Sequence, residues 1–261
     1  MISKTHHFFL LDIRPWPIII SLNCFNAFFS LIIFFKKTLV INFSARIITL
    51  ALCSILWWMN YRKEFNISGL IRRDLERGLK FSMLLFISSE VFFFFSFFWA
   101  YFHFFLSPCL ETRLIWPASQ TKMFDYTNVP IVNTLILLTS GVTITVSHFY
   151  ALEGQKTLAL SWSLVTGVLG LAFTALQVQE YFSSFFSIRD GTFGTSFFML
   201  TGFHGLHVII GSTYIIINFL YFYKFSYCDR RVVRFELASW YWHFVDVVWI
   251  FLYFFLYYLN F

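Results

Sequence analysis

The sequence predicts an all-α membrane protein that crosses the bilayer seven times. Of its 261 residues, 59% are apolar and only 12% are charged, whereas soluble domains have about 45–50% apolar and about 25% charged residues. The apolar residues fall into seven blocks of about 20 residues or more, the length that a bilayer-spanning helix needs. Barrel strands would be about ten residues long with alternating polarity. The composition therefore excludes a water-soluble globule, and the block length excludes a barrel.

The seven blocks form one predicted membrane domain over residues 1–261. In chain order they cover residues 16–35, 39–58, 78–105, 129–151, 158–181, 193–223 and 235–258. Helices I and II thus occupy residues 16–58, and helices III to VII occupy residues 78–258. The third and sixth blocks exceed a perpendicular span, so we expect tilt or protrusion there.

The Lys and Arg residues between the blocks predict the orientation. Thirteen lie on the side of the N-terminus and five on the opposite side. Because loops on the cytoplasmic side carry an excess of Lys and Arg, we expect the N-terminus to face the cytoplasm or, in a mitochondrion, the matrix. Seven spans then place the C-terminus on the other side. Membrane topology accounts for the net charge of +6, so no nucleic-acid binding is indicated.

Short motifs of soluble catalysis or structural metal binding are missing from the sequence. The four cysteines are scattered without a CxxC spacing, so they indicate neither a zinc site nor a disulfide framework. No phosphate-binding glycine loop, Ser-His-Asp arrangement or HExxH motif is present. The candidates for function are therefore the polar residues within the spans.

Glu90 is the leading candidate among these residues. It lies in the third block, in the run SSEVFFFFSFFWA, where an ionised carboxylate is costly. We expect a hydrogen-bonded, largely protonated carboxyl group that faces protein or lipid. Two roles stay open on the residues alone: a proton relay or lipid contact, and a structural hydrogen bond that fixes helix packing.

Histidines in the last two blocks are the candidates for metal binding. His204 and His207 lie three residues apart, and His243 and Asp246 repeat that spacing. Residues three apart share a helix face, an arrangement that haem or copper ligands use. The bulky aromatic neighbours favour instead buried histidines that bind no metal and hydrogen-bond to Asp246 or Glu236 of the neighbouring helix. Three residues near block ends have the same interpretation: His148, Glu153 and Glu180.

Glycines in the spans predict close helix contacts. Gly202, Gly205 and Gly211 flank the histidines of the sixth block, and the runs GVTITVSH and TGVLGLAF lie in the fourth and fifth. Small residues let helix backbones approach each other within a membrane. These glycines therefore indicate packing and not nucleotide binding.

The end of the second block is the predicted phospholipid site. Trp57 and Trp58 stand at the block end, and tryptophans followed by cations are suited to the head-group region. The charged residues assigned to this site are Arg62, Glu64, Arg72, Arg73 and Arg77, and Lys80 is a further cation expected to attract anionic lipid there. Generic anchoring of a span end is the alternative interpretation of the two tryptophans.

Several long runs closely resemble subunit III of mitochondrial cytochrome c oxidase. They are FISSEVFFFFSFFWAYFH at residues 86–103, TGFHGLHVIIGSTY at 201–214 and FELASWYWHFVDVVWIFLY at 235–253. The resemblance extends to PWP at 15–17, VPIVNTLILLTSGVTIT at 129–145 and the QxxEY element at 177–181. It covers nearly the whole chain, in order and without a large insertion.

This resemblance implies a V-shaped bundle in which a lipid-filled cleft separates the first two helices from the other five. It implies a core subunit without its own haem or copper, since haem a and copper reside in subunits I and II of that family. The complex, a respiratory enzyme of the mitochondrial inner membrane, transfers electrons from cytochrome c to oxygen and pumps protons. Subunit III packs on subunit I beside accessory subunits, binds phospholipids, cardiolipin among the candidates, and supports proton uptake and enzyme stability. An organelle gene is the expected source.

The resemblance also assigns residues and shows departures. Glu90 matches the buried glutamate of the family's third helix, while Trp57, Trp58 and Glu64 match the lipid-facing end of its second helix. The family pattern Trp-Trp-Arg-Asp is Trp-Trp-Met-Asn here, and a usual histidine pair is Leu-Ile at residues 70–71. Arg72 and Arg73 follow that position. These arginines are therefore the candidates for the lipid-phosphate contact that the histidine pair makes in the family.

Two other classes of function are weighed against this one. A secondary transporter is compatible with seven spans and two intramembrane carboxyl groups, but neither broken helices nor an internal repeat supports it. A haem-binding electron-transfer protein is the other alternative, and an absorbance spectrum of the isolated chain distinguishes it.

Overall fold

The computed structural model describes residues 13–37, 40–67, 73–108, 115–117, 123–224 and 229–260, without the side chains of 37, 61–67, 73–75 and 229–231. Seven α-helices contain most of these residues: α1 Trp16–Lys37, α2 Val40–Ile67, α3 Arg73–Leu106, α4 Val129–Leu152, α5 Lys156–Phe182, α6 Gly191–Lys224 and α7 Asp229–Leu252. A π-helical segment, Tyr253–Tyr258, continues α7. All seven helices are long and apolar enough to cross a membrane. The predicted all-α fold with seven spans is confirmed.

Several helices are longer than the apolar blocks that predicted them. Helix α2 runs to Ile67 and α3 begins at Arg73, whereas the adjoining blocks end at 58 and begin at 78. The added residues include Arg, Lys, Glu and Leu, which favour helix without being apolar. Helix α6 has 34 residues and is about 51 Å long at 1.5 Å per residue, against about 30 Å of hydrocarbon. The hydropathy of the sequence thus predicts the segment that can span a bilayer, but it does not predict where the helix begins or ends.

The chain divides into two compact units, residues 1–77 and 78–261. In the first unit, α1 and α2 contact each other along their length. The rings of Phe34 and Phe43 stack with centroids 5.5 Å apart, and the Asn23 amide donates to the Cys53 Sγ at 3.7 Å. Ala27 and Ser30 are buried on α1. The face that α1 turns toward α2 therefore combines small side chains with an aromatic contact near the end of α1.

The core of the second unit is centred on α7. Trp242 and Trp249 are fully buried, and both indoles donate a hydrogen bond to α4: Trp242 to the Ser140 Oγ at 2.9 Å and Trp249 to the Thr134 Oγ1 at 3.0 Å. A buried indole N–H needs such a partner. These two bonds fix α7 against α4.

Glycines permit the close contacts within this core. A Cβ on Gly141 would lie 2.5 Å from the Asp246 Oδ2, and one on Gly211 would lie 2.9 Å from the Trp242 ring. One on Gly170 would meet the Ser212 Oγ and the Trp242 ring. The predicted close contact is confirmed for these three glycines. It is wrong for Gly205, whose Cβ would meet nothing within 4 Å, because Gly205 lies on a different side of α6 from Gly211.

Polar contacts of Lys80, Glu90 and Tyr101, together with aromatic side chains, hold helix α3 to the bundle. Lys80, Glu90 and Tyr101 lie within a sector of about 80° of the helix, since successive residues turn by about 100°. Their partners are, in the same order, Glu236 of α7 at 2.8 Å, His207 of α6 at 2.9 Å and the Phe255 carbonyl at 2.9 Å. Between them, the Phe93 ring packs edge-on against Phe203 of α6 with centroids 5.0 Å apart.

A hydrogen-bonded turn precedes α4. The Asp125 carboxylate accepts hydrogen bonds from the Thr127 hydroxyl at 2.6 Å and the Thr127 N–H at 2.9 Å. Its other oxygen accepts a bond from the Asn128 amide at 2.9 Å. The bonds from Thr127 hold the pKa of Asp125 below its usual value because they favour the ionised form. Pro130 follows in the first turn of α4, where its missing N–H costs nothing.

Candidate functional site

Glu90 of α3 and His207 of α6 form a hydrogen bond within the span region. The Glu90 Oε2 lies 2.9 Å from the His207 Nε2. The other ring nitrogen, Nδ1, lies 2.7 Å from the carbonyl oxygen of Phe203, one turn back on α6. Phe94 contacts the ring edge-on with centroids 5.0 Å apart. His207 is therefore fixed on two sides, and the Glu90 carboxyl is one of its two polar partners.

The geometry determines how protons are arranged in this pair. A carbonyl can only accept, so the His207 Nδ1 carries a proton and donates it to Phe203. In a neutral ring, Nε2 then has a lone pair and Glu90 must be the protonated donor. In a charged ring, Nε2 donates to a carboxylate. One proton thus lies between the Glu90 Oε2 and the His207 Nε2 in either state.

An open cavity of about 630 Å³ lies beside the pair, bounded by α3, α6 and α7. Besides Glu90 and His207, its walls include Phe86, Leu206, Ile210 and Tyr241. The lining is mostly apolar, with the carboxyl–imidazole pair as a polar spot. Such a pocket suits a flexible apolar molecule or chain. The structure thus brings the predicted Glu90 to a cavity, and it adds His207 as the partner.

The other histidines and Asp246 occupy three different environments. His204 is fully buried, and its Nε2 donates to the Val245 carbonyl of α7 at 3.2 Å. His243 was predicted to be buried, but 41% of its side chain is exposed. Its Nδ1 lies 4.0 Å from the buried carboxyl of Asp246, too far for a hydrogen bond. His204 and His207 therefore bond neither Asp246 nor Glu236, and that predicted pairing is wrong.

Glu236 bonds a lysine instead of a histidine. The Lys80 Nζ lies 2.8 and 2.9 Å from the two carboxylate oxygens of Glu236. His148 on α4 stacks on Phe235 with ring centroids 6.1 Å apart. Lys80 lies about two turns after the start of α3, and Glu236 lies about two turns after the start of α7. Sequence patterns do not show this pair because it joins residues 156 positions apart.

The predicted phospholipid site is described only in part. Trp57 is half-buried and Trp58 is 66% exposed, and both lie inside α2, which continues to Ile67. Arg77 is exposed as well. The side chains of Arg62, Glu64 and Arg73, and the whole of Arg72, lie outside the described residues.

Glu180 and its neighbours form a second buried polar group. Glu180 and Gln177 of α5 are buried close to Tyr257 of the π-helical segment. The adjacent Tyr181 exchanges a hydrogen bond of 2.7 Å with Thr201 of α6. In the described ranges, no three His, Cys, Asp or Glu side chains come together as a metal site.

Comparison with known proteins agrees with these features. The profile of the family described as cytochrome c oxidase subunit III matches residues 6–261. The chain is 41% identical over 253 residues to "Cytochrome c oxidase subunit 3" of Coturnix japonica and 42% identical over 253 residues to that of Rattus norvegicus, covering 97% of each chain. It is 42% identical over 249 residues to the Anopheles gambiae protein of the same name, with 95% of both chains covered. With seven membrane-spanning helices and a profile match over almost its full length, the chain belongs to the cytochrome c oxidase subunit III family.

Proposed function

We propose that the chain is a core subunit of cytochrome c oxidase that carries no redox centre itself. It packs on subunit I, and haem a and copper reside in subunits I and II. Family membership over residues 6–261 supports this assignment. The histidines support it as well, since His207 uses both ring nitrogens and His204 its Nε2 in hydrogen bonds to protein.

The single observation that carries the finer role is the Glu90–His207 pair beside its apolar cavity. A shared proton lets the pair change its charge distribution without taking up a net charge. We propose that it shapes the local environment of proton uptake and holds α3 on α6. Because the chain has no redox centre in this proposal, Glu90 modulates turnover and is not the obligatory proton donor to oxygen.

The chain also binds phospholipid in this proposal. The exposed Trp58 in the C-terminal half of α2 and the exposed Arg77 near the start of α3 support a head-group site. The anionic head groups of cardiolipin suit the excess of cations on that side of the sequence. The nearby Lys80 does not add to these cations, because Glu236 neutralises it.

We place the protein in the mitochondrial inner membrane as an organelle-encoded, multi-pass subunit. The N-terminus faces the matrix and the C-terminus the intermembrane space. The excess of Lys and Arg on the N-terminal side supports this orientation. Accessory subunits complete the complex.

Purification of the oxidase with and without this chain tests the proposal. We expect the chain to co-purify in equal amount with the haem- and copper-bearing subunits. Its removal should leave the haem absorbance and copper content per subunit I unchanged, while the number of turnovers before inactivation falls. Loss of haem or copper in proportion to the lost chain would contradict the assignment.

A further inference from the structure

A second groove, between α3 and α6, has no role in the function proposed above. It encloses about 520 Å³, a volume typical of sites for small or chain-like ligands. Its walls include Phe97, Ala100 and Phe104 of α3 and Thr192 and Met199 of α6. The phospholipid site proposed above lies near Arg77, about 40 Å from Phe104 along α3 at 1.5 Å per residue. The two sites therefore lie at opposite ends of α3.

The groove is polar at one end and apolar at the other. Arg189 and Thr192 line the polar end, next to the loop that joins α5 to α6. Helix α6 then runs about two turns from Thr192 to Met199, about 10 Å into the span. Phe97 of α3 lines the same apolar end as Met199. A ligand that matches both ends must be amphiphilic.

The guanidinium of Arg189 makes the polar end of the groove positive. Arg189 is exposed, and no carboxylate in the described part of the chain forms an ion pair with it. The carboxylate of the adjacent Asp190 has another partner, since its Oδ2 accepts a hydrogen bond from the Ser187 N–H at 2.6 Å. An anion complements this charge, and a phosphate suits the planar donor fork of arginine.

The loop around Arg189 lies at a membrane boundary. It joins two helices that can each span a bilayer, so its residues lie at the level of the lipid head groups. The large apolar side chains of Phe182, Phe185 and Ile188 are exposed there. Arg189 is thus a cation at head-group level, directly beside a groove that leads into the hydrocarbon.

Three aromatic rings separate this groove from the cavity beside Glu90. Phe97 packs against Phe203 with ring centroids 5.1 Å apart and against Phe93 at 5.0 Å. Phe93 and Phe203 line the cavity at Glu90, whereas Phe97 lines the groove at Arg189. The two cavities share no lining residue, so they are separate sites.

We propose that this groove binds one anionic phospholipid, in addition to the lipid proposed near Arg77. The phosphate accepts hydrogen bonds from the Arg189 guanidinium and the Thr192 hydroxyl. One acyl chain follows the groove past Ala100 to the apolar end at Phe97. An apolar helix of another subunit would cover the same walls but would bring no anion to Arg189.

Photolabelling of the intact oxidase tests the site. The probe is phosphatidylglycerol with a diazirine in the distal half of one acyl chain, present in vesicles of phosphatidylcholine. We expect it to label α3 near Ala100 or α6 near Met199, as mapped by mass spectrometry of peptides. Arg189→Gln should lower this labelling about fivefold, the usual effect of one cation on anionic lipid. Phosphatidylcholine with the same diazirine should label the groove less, and equally in both proteins.

Two further variants make the test specific. Ala100→Trp keeps Arg189 but fills the groove from an exposed position of α3, so it should abolish labelling there. Lys36→Gln removes another exposed cation on the same predicted membrane side and should leave the labelling unchanged. Arg77→Gln should also leave it unchanged, which separates this site from the one proposed above.

Three results would overturn the proposal. The first is equal labelling of the groove by the anionic and the zwitterionic probe. The second is labelling that Arg189→Gln or Ala100→Trp does not reduce. The third is an experimental structure of the complex in which side chains of another subunit fill the groove.

Discussion

The indole Nε1 of Trp242 donates a hydrogen bond to the Ser140 Oγ at 2.9 Å, in the interior of the second unit. This bond fixes the plane of the indole between α4 and its neighbours. The far side of the ring then lies against the backbones of α5 and α6 at Gly170 and Gly211. Both glycines therefore depend on a ring that cannot rotate away without losing its hydrogen bond.

Gly170→Ala should destabilise the subunit by about 1–3 kcal/mol, the usual cost of overpacking a core. The new Cβ would lie 2.7 Å from the Trp242 Cη2, and the ring is held in place. The melting temperature of the subunit in the intact oxidase measures the effect. Gly205→Ala is the matched control, because nothing lies within 4 Å of its Cβ. Equal effects of the two variants would contradict the assigned role of Trp242.

Glu90→Gln should leave oxidase turnover within a few-fold of normal. Glutamine keeps the volume and can donate to the His207 Nε2, so the contact with α6 survives while the titratable group is removed. An obligatory general acid would lose about 100-fold or more. Steady-state oxygen consumption measures the effect, with Ser89→Ala as control because Ser89 bonds only its own helix, at the Phe86 carbonyl. A 100-fold loss in an intact, lipid-replete complex would show that Glu90 has a direct role in proton transfer.

The Lys80–Glu236 pair should contribute about 1 kcal/mol or less to stability, because both side chains are partly exposed and solvent screens them. Lys80→Met and Glu236→Gln should each lower stability, and the double variant should be more stable than the sum of the two losses predicts. Thermal melting of the four variants at low and high salt measures the coupling. A coupling of zero at low salt would show that the contact at 2.8 Å adds nothing.

Arg77→Gln should weaken retention of anionic phospholipid. One cation near the membrane surface contributes on the order of 1 kcal/mol toward anionic lipid, which corresponds to about fivefold in affinity. Mass spectrometry of lipids retained by the purified oxidase measures the change. Lys36→Gln is the control, since Lys36 is exposed at the opposite predicted membrane side. Equal lipid loss from both variants would contradict a specific site near Arg77.

The charge distribution predicts which loops face the matrix. An epitope tag inserted after Gly154, in the turn between α4 and α5, should be accessible only from the matrix side. A tag at Asp125, before α4, should be accessible only from the intermembrane space. Gly154 has a φ of +80° and open space around it, so the insertion should be tolerated. The reverse pattern in sealed membranes would overturn the orientation.

Sequence patterns predicted the helices of this protein better than its polar contacts. Seven spans follow from apolarity alone because a bilayer requires each helix to be apolar over its length. Helices α2 and α3 were predicted too short, since the charged turns at 59–67 and 73–77 are helical although they are not apolar. Helix propensity, and not hydropathy, determines those ends.

The partners of the polar residues depend on tertiary contacts that no local pattern encodes. Glu90 was recognised from its apolar setting, yet its bond to His207 joins residues 117 positions apart. His204 and His207 share one broad face, but His204 contacts α7 and His207 contacts α3. Shared spacing therefore led to a wrong partner assignment. The same reasoning placed His243 in the interior, whereas only Asp246, one turn further on, is buried.

The outward faces of α1 and α3 have a consequence for how this chain changes over generations. Many of its 39 phenylalanines lie there, exposed in the isolated chain, such as Phe25, Phe28, Phe92 and Phe95. A side chain that faces lipid or an apolar neighbour at these positions needs only to be apolar. At Gly170, by contrast, the residue must leave room for the Trp242 ring. Phenylalanine codons are rich in A and T, so a coding genome biased toward those bases can add phenylalanine outward at little thermodynamic cost. Under such a bias, added phenylalanine is tolerated more readily at these outward positions than at Gly170, where even a methyl group meets the Trp242 ring.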